Sequence, residues 1–107
     1  MYKRQELKRI FNILEIYELY RELRKYSKKI ILYGSCSEGT DTLESDIDIL
    51  IISREKDEVK GIINLHKDKL DRKLSPLILS QEEFLNLKNR DKPLYERIKG
   101  GITLWEK

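Results

Sequence analysis

The residues able to do chemistry are concentrated in one stretch, Gly34-Ser35-Cys36-Ser37-Glu38-Gly39-Thr40-Asp41-Thr42-Leu43-Glu44-Ser45-Asp46-Ile47-Asp48. It reads in two halves. Gly34 ends the apolar run Lys29-Ile30-Ile31-Leu32-Tyr33, and Ser35 starts a helical turn. Main-chain N–H groups at a helix start suit a phosphate when a hydroxyl lies beside them and a glycine permits close approach. In the second half, Asp46 and Asp48 are two residues apart at the start of a strand, so both carboxylates project from one face. Two adjacent carboxylates raise each other's pKa unless a cation lies between them. Mg²⁺ prefers oxygen and is bound through one or two carboxylates plus substrate phosphates. A phosphate cradle beside a divalent-metal site is a layout for phosphoryl or nucleotidyl transfer.

The elements that must position these residues follow from periodicity. From Arg4 to Tyr26 the pattern is helical, about six turns without Gly or Pro. Leu7, Ile10, Phe11, Leu14, Tyr17 and Leu23 form its expected core stripe. Ile13, Ile16, Leu19 and Tyr20 widen the stripe, and Ile13, Ile16 and Tyr20 are expected as a contact surface for a partner chain. Lys29–Tyr33 and Asp46–Ile52 read as buried strands, joined by a polar turn, short helix and loop over Ser35–Ser45. A second helix spans Glu55 to Arg72, and Leu74–Leu79 is a third strand whose Pro76 calls for an edge position or a bulge. Ser80-Gln81-Glu82-Glu83 is a capping box that opens a third helix. A short helix, Leu94–Lys99, and a last strand, Ile102–Trp105, complete the chain. The predicted class is α/β (α+β): a mixed sheet of three to four strands with helices packed mainly on one face, forming a single domain over 1–107.

Composition narrows the classes. Within 107 residues, Lys+Arg is 22 and Asp+Glu is 19, a net charge of only +3. That is a surface dense in both signs, not a cationic arm, so RNA is a poor partner. No apolar run is long enough to span a membrane, and the first residues show no apolar signal-peptide region, which leaves the cytoplasm as the expected compartment. One Cys excludes an intramolecular disulfide.

Gly34-Ser35, ten intervening residues, then Asp46-Ile47-Asp48 resembles the signature of the minimal nucleotidyltransferases of the DNA polymerase β superfamily, and the order of elements is similar across nearly the whole chain. The resemblance implies a polymerase-β-like fold, ATP or another NTP as donor, two Mg²⁺ ions, and transfer of a nucleoside monophosphate to a hydroxyl acceptor. It implies that Gly34 and Ser35 bind the nucleotide's phosphates and that Asp46 and Asp48 are catalytic metal ligands. Short members of this kind are commonly the antitoxin of a toxin–antitoxin pair, acting on a tyrosine of an all-helical HEPN-type toxin. A homodimer is the other assembly expected.

Two positions depart from the family pattern. A third carboxylate usually stands on the strand after the second helix, where this chain has Ser75 or Pro76, and the nearby acids Asp71 and Glu82 lie outside the strand core. An Arg usually follows the Gly by four residues, where this chain has Glu38. The competing reading is therefore a catalytically degenerate subunit that binds nucleotide or protein. Other residues have plainer roles: Cys36 fills a turn, His66 packs on a helix, and Trp105 and Tyr95 belong to the core. Arg54, Lys56, Arg72 and Lys73 could meet a substrate phosphate but read better as solvated surface.

Overall fold

The computed structural model describes the backbone of residues 2–42 and 45–107, with side chains from residue 6 onward. Leu43 and Glu44, part of the loop expected before Ser45, lie outside the described residues. The elements are α1 (Tyr2–Glu15), α2 (Tyr17–Leu23), β1 (Lys29–Tyr33), α3 (Ser35–Glu38), β2 (Ile47–Ile52), α4 (Lys56–His66), β3 (Leu74–Leu79), α5 (Gln81–Arg90), α6 (Lys92–Lys99) and β4 (Ile102–Glu106), with short 3₁₀ turns after α2 and α4.

The sheet runs β3-β2-β1-β4. β1 is antiparallel to β2 and to β4, whereas β2 and β3 are parallel. β2 is central, and the continuous apolar run Ile49-Leu50-Ile51-Ile52 is what a strand covered on both faces requires. Pro76 sits on β3, an edge strand, where its missing N–H costs no ladder bond.

Strand alternation sends one set of side chains to each face. Ile30, Leu32, Ile47, Ile49 and Ile51 pack with Ile16, Leu19, Leu23, Val59 and Ile63 in the main core under α2 and α4. Ile31, Tyr33, Leu50 and Ile52 pack on the other face with Ile98 and with Leu77, Leu79, Phe84, Leu87 and Leu94 from β3, α5 and α6. Asp48 has the parity of Leu50 and Ile52, so it stands on the face covered by α6. The α5 start is fixed by the expected capping box: the Glu83 N–H donates to Ser80 Oγ at 3.1 Å and the Ser80 N–H to Glu83 Oε1 at 2.8 Å. Lys56 pairs with the same carboxylate, and that bond, ahead of the Ser80 N–H, lowers the Glu83 pKa to about 2.

The N-terminal region differs from the periodic reading in two ways. The helix is broken at Ile16, whose φ of −101° and ψ of 9° lie outside the helical basin. The break turns Ile16, Leu19 and Leu23 together into the core, each at most 1% exposed, with Ile13 and Tyr20 packed against them. Of the stripe expected to face inward, Leu23 is buried as expected, but the rest is outside: Leu7 is 54% exposed, Ile10 52%, Phe11 64%, Leu14 60% and Tyr17 46%. Ile13, Ile16 and Tyr20 are therefore not the free contact surface. The cause is polar. α1 docks through Lys8, Asn12 and Glu15, which share one side of the helix and meet acceptors and donors in the body of the protein. Satisfying the buried Asn12, Asp41 and Arg72 decides the rotation of the helix, because leaving them unpaired costs more than leaving apolar groups wet.

Candidate active site

The site is built where β1 ends and β2 begins. Tyr33, the last residue of β1, pairs with Asp48, and Asp48 pairs on its other side with Ser75 of β3. After Tyr33 the chain turns sharply at Gly34, whose φ of +74° is a left-handed value that favours glycine. A Cβ on Gly34 would also lie 2.6 Å from Asp48 Oδ2, so the Asp48 carboxylate leans directly across the turn. α3 starts at Ser35, and the first N–H groups of a helix have no acceptor within it. Two side-chain bonds help hold this turn: the Ser37 hydroxyl donates to the Gly34 carbonyl at 2.8 Å, and the Cys36 thiol donates to the Asp46 carbonyl at 3.7 Å.

Asp46 and Asp48 converge on Ser75. The Ser75 hydroxyl donates to Asp46 Oδ2 at 3.2 Å, and the same residue is the strand partner of Asp48. The pKa of Asp48 is raised, first by burial and then by the negative charge of Asp46, while Arg97 acts in the opposite direction. Arg97 belongs to α6. Its Nη2 lies 3.6 Å from Asp48 Oδ2 and its guanidinium lies 5.7 Å from the Tyr33 ring centroid. Gly34, Ser35, Asp46 and Asp48, separated in sequence, thus share one end of the sheet.

Two oxygen-rich carboxylates whose charges repel across a partly buried rim match what Mg²⁺ accepts, provided water and phosphate fill its remaining positions. Among the described residues no group of three His, Cys, Asp or Glu side chains assembles, so the carboxylate donors here number two. The register puts Ser75, not Pro76, on the face of Asp46 and Asp48, where a third acid was expected. Pro76 pairs with Ile49, whose side chain points into the main core on the opposite face.

The remaining sequence candidates separate clearly. Cys36 is buried, and burial pushes its thiol up to about 11, so it fills the turn as expected. Trp105 packs against the core and its indole N–H donates to the Ser27 carbonyl at 3.1 Å. Tyr95 stacks on Phe84 with centroids 5.7 Å apart. Lys56 is engaged with Glu83, while Arg54 and Lys73 are exposed. Arg72 is neither solvated surface nor a phosphate contact. It is buried and donates to Asp41, to Asn12 Oδ1 at 2.8 Å and to Glu15 Oε1 at 2.8 Å. Arg97 was not legible in the sequence: it is 49 positions from Asp48, and nothing in its spacing marks it. The available signal was indirect, since Glu38 stands where a cation was expected and leaves that role open.

Residues 12–107 match the family described as polymerase beta, nucleotidyltransferase. No curated protein matches the chain. Among solved structures, a chain of a toxin–antitoxin complex crystallised with AMP-PNP is similar with a TM-score of 0.59 and 23% identity, covering 87% of this chain and 72% of that one. That likeness concerns the fold, and the polymerase-β-like arrangement is the one expected from the sequence. With nearly the whole chain matched and the signature residues gathered at one end of the sheet, the protein belongs to the polymerase beta nucleotidyltransferase family.

Proposed function

We propose that this chain, as a single nucleotidyltransferase domain over 1–107, transfers a nucleoside monophosphate, AMP from ATP, to a hydroxyl on a partner protein. The observation that carries the reading is the position of the Asp48 carboxylate across the Gly34 turn. A phosphate held at Gly34-Ser35 is then next to the carboxylates that hold Mg²⁺. In this reading Gly34 and Ser35 bind the triphosphate, and Asp46 and Asp48 are the catalytic metal ligands. Mg²⁺ supplies charge neutralisation on the reacting phosphate and a template for its geometry. Two ions are expected in the family, and the two carboxylates fit one of them best. A cytoplasmic location, where ATP and Mg²⁺ are both supplied, belongs to the same proposal.

Asp46 is exposed and Asp48 half-buried, so the site faces solvent. No helix is long and apolar enough to cross a membrane among the described residues, and the large exposed apolar stripe Leu7, Ile10, Phe11, Leu14 and Tyr17 lies on α1 and the first residue of α2. A stripe of that extent supports a protein contact. The similar complex is a toxin–antitoxin pair crystallised with AMP-PNP, which supports a toxin as partner and ATP as donor. We propose an antitoxin acting on a tyrosine of a HEPN-type helical toxin, the toxin closing the open side of the site. A second reading, a non-catalytic nucleotide-binding subunit, is favoured by the Ser75 hydroxyl at the position of the third acid.

The deciding experiment incubates the protein with labelled ATP, Mg²⁺ and its co-expressed helical partner. Label on the partner is expected with the native protein. It should fall at least about a hundredfold in Asp48→Asn, the scale of losing one essential transition-state contact. A stable complex without label transfer would establish the second reading instead.

A further inference from the structure

We infer that Arg97 is a nucleotide-binding residue: its guanidinium stands beside Asp48 in the free protein and binds the triphosphate when nucleotide and Mg²⁺ enter. The inference rests on the nucleotide reading of the site given above. Three features carry it. First, Arg97 is positioned but not spent. The next residue, Ile98, is fully buried beneath the sheet and anchors α6, while the Arg97 side chain is 57% exposed. At 3.6 Å its contact with Asp48 is a Coulombic pair without a hydrogen bond, and a guanidinium has five donors to offer. Arg72, by contrast, is 4% exposed with its donors committed.

Second, Arg97 is aimed at the phosphate position. Its Nη2 would lie 3.3 Å from a Cβ on Gly34, so the group borders the same small space that the Asp48 carboxylate and the Gly34 turn enclose. Its guanidinium also lies over the Tyr33 ring, a favourable contact that holds it near the turn. Third, the charge balance favours it. Asp46 and Asp48 put two carboxylates at a site that, on the nucleotide reading, also takes a triphosphate. A single divalent ion offsets Asp46 and Asp48 and leaves the phosphates unmatched. Among the described residues, Arg97 is the only Lys or Arg with an ion pair to Asp46 or Asp48. When a metal takes over Asp48, the guanidinium loses its partner and gains a better one, because Arg matches phosphate through paired donors.

The test is titration calorimetry with Mg²⁺ present, using ATP, inorganic tripolyphosphate and AMP as separate probes on the native protein, Arg97→Gln and Arg97→Lys. Arg97→Gln should weaken ATP and tripolyphosphate by about tenfold or more, the scale of a charge-assisted hydrogen bond, and leave AMP within about twofold. Arg97→Lys should fall between. Circular dichroism melts should coincide for all three proteins, because the side chain is exposed. Equal ATP affinity in Arg97→Gln and the native protein would overturn the inference while leaving the nucleotide reading intact. So would an equal loss for ATP and AMP. A native protein that binds neither ATP nor tripolyphosphate would overturn both.

Discussion

Two arginine clusters in this molecule are made of nearly the same parts and do opposite things. Arg72 meets Asp41, Glu15 and Asn12; Arg97 meets Asp48, with Asp46 and Ser75 beside it. Each cluster has one guanidinium, two carboxylates and one uncharged polar side chain. The first is sealed, and its guanidinium donates to both carboxylates and to Asn12, although Glu15 Oε2 is left without a partner. The second is open, and its carboxylates repel without a hydrogen-bonded cation between them. The two aspartates respond in opposite senses. Burial alone would raise Asp41, but hydrogen bonds from Asn12 and Arg72 outweigh it and hold its pKa below the ordinary 3.8. Asp48 is raised by burial and by Asp46, and its Arg does not compensate. The same residue types thus mark structure where the buried cation is hydrogen-bonded to its carboxylates and function where the cation is left for a ligand to engage.

The sharpest way to break this contrast is to remove each arginine's charge. Arg72→Met should destabilise the protein by about 3–5 kcal/mol, because Asp41 is left buried without its cation. Arg97→Met should change stability by less than about 0.5 kcal/mol, as expected for an exposed side chain in a loose pair. Urea denaturation of the two variants measures both, and equal losses would abolish the distinction.

A smaller effect completes the open cluster. In Ser75→Asp, a third carboxylate would stand beside Asp48 and Asp46 on the same face. Calorimetric titration with Mg²⁺ and ATP should show metal affinity about tenfold tighter, or ~1.4 kcal/mol. No gain would mean that Ser75 does not occupy a ligand position.

The smallest effect is the pH dependence. A depressed folded pKa means that the unfolded chain takes up the proton first as pH falls. The stability tied to Asp41 is therefore fully present above its ordinary pKa and is lost as pH falls below it. Asp48 has the opposite sign: its folded pKa is raised, so its contribution is present at low pH and is lost as pH rises through that value. Urea midpoints followed from neutral into acid should fall less steeply in Asp41→Asn than in the native protein, and more steeply in Asp48→Asn. Parallel curves would show that the two carboxylates are not differently held.

Much of this arrangement was legible in the chain. Gly34-Ser35 and Asp46-x-Asp48 announce themselves because a turn after a strand and a two-residue strand repeat are local consequences of backbone geometry. The capping box at Ser80 and the edge position of Pro76 are legible for the same reason. Ser75 could be narrowed from the pair Ser75 or Pro76 only when the parallel register with β2 was known, since a shift of one residue exchanges the faces.

What the sequence by itself determined is therefore the order of strands and helices apart from the break at Ile16, the family and the chain-local half of the site. The tertiary structure decided which face of α1 is buried, the true role of Arg72 and the presence of Arg97 at the site. α1 carries two apolar stripes of similar period, and periodicity cannot rank them. The choice was made by Asn12 and Glu15 finding Arg72, 60 and 57 positions away along the chain. Arg97 reaches Asp48 because Ile98, buried against the sheet, fixes α6 over the end of β1. Such pairings follow from how separate elements pack, and residue spacing along the chain carries no record of them.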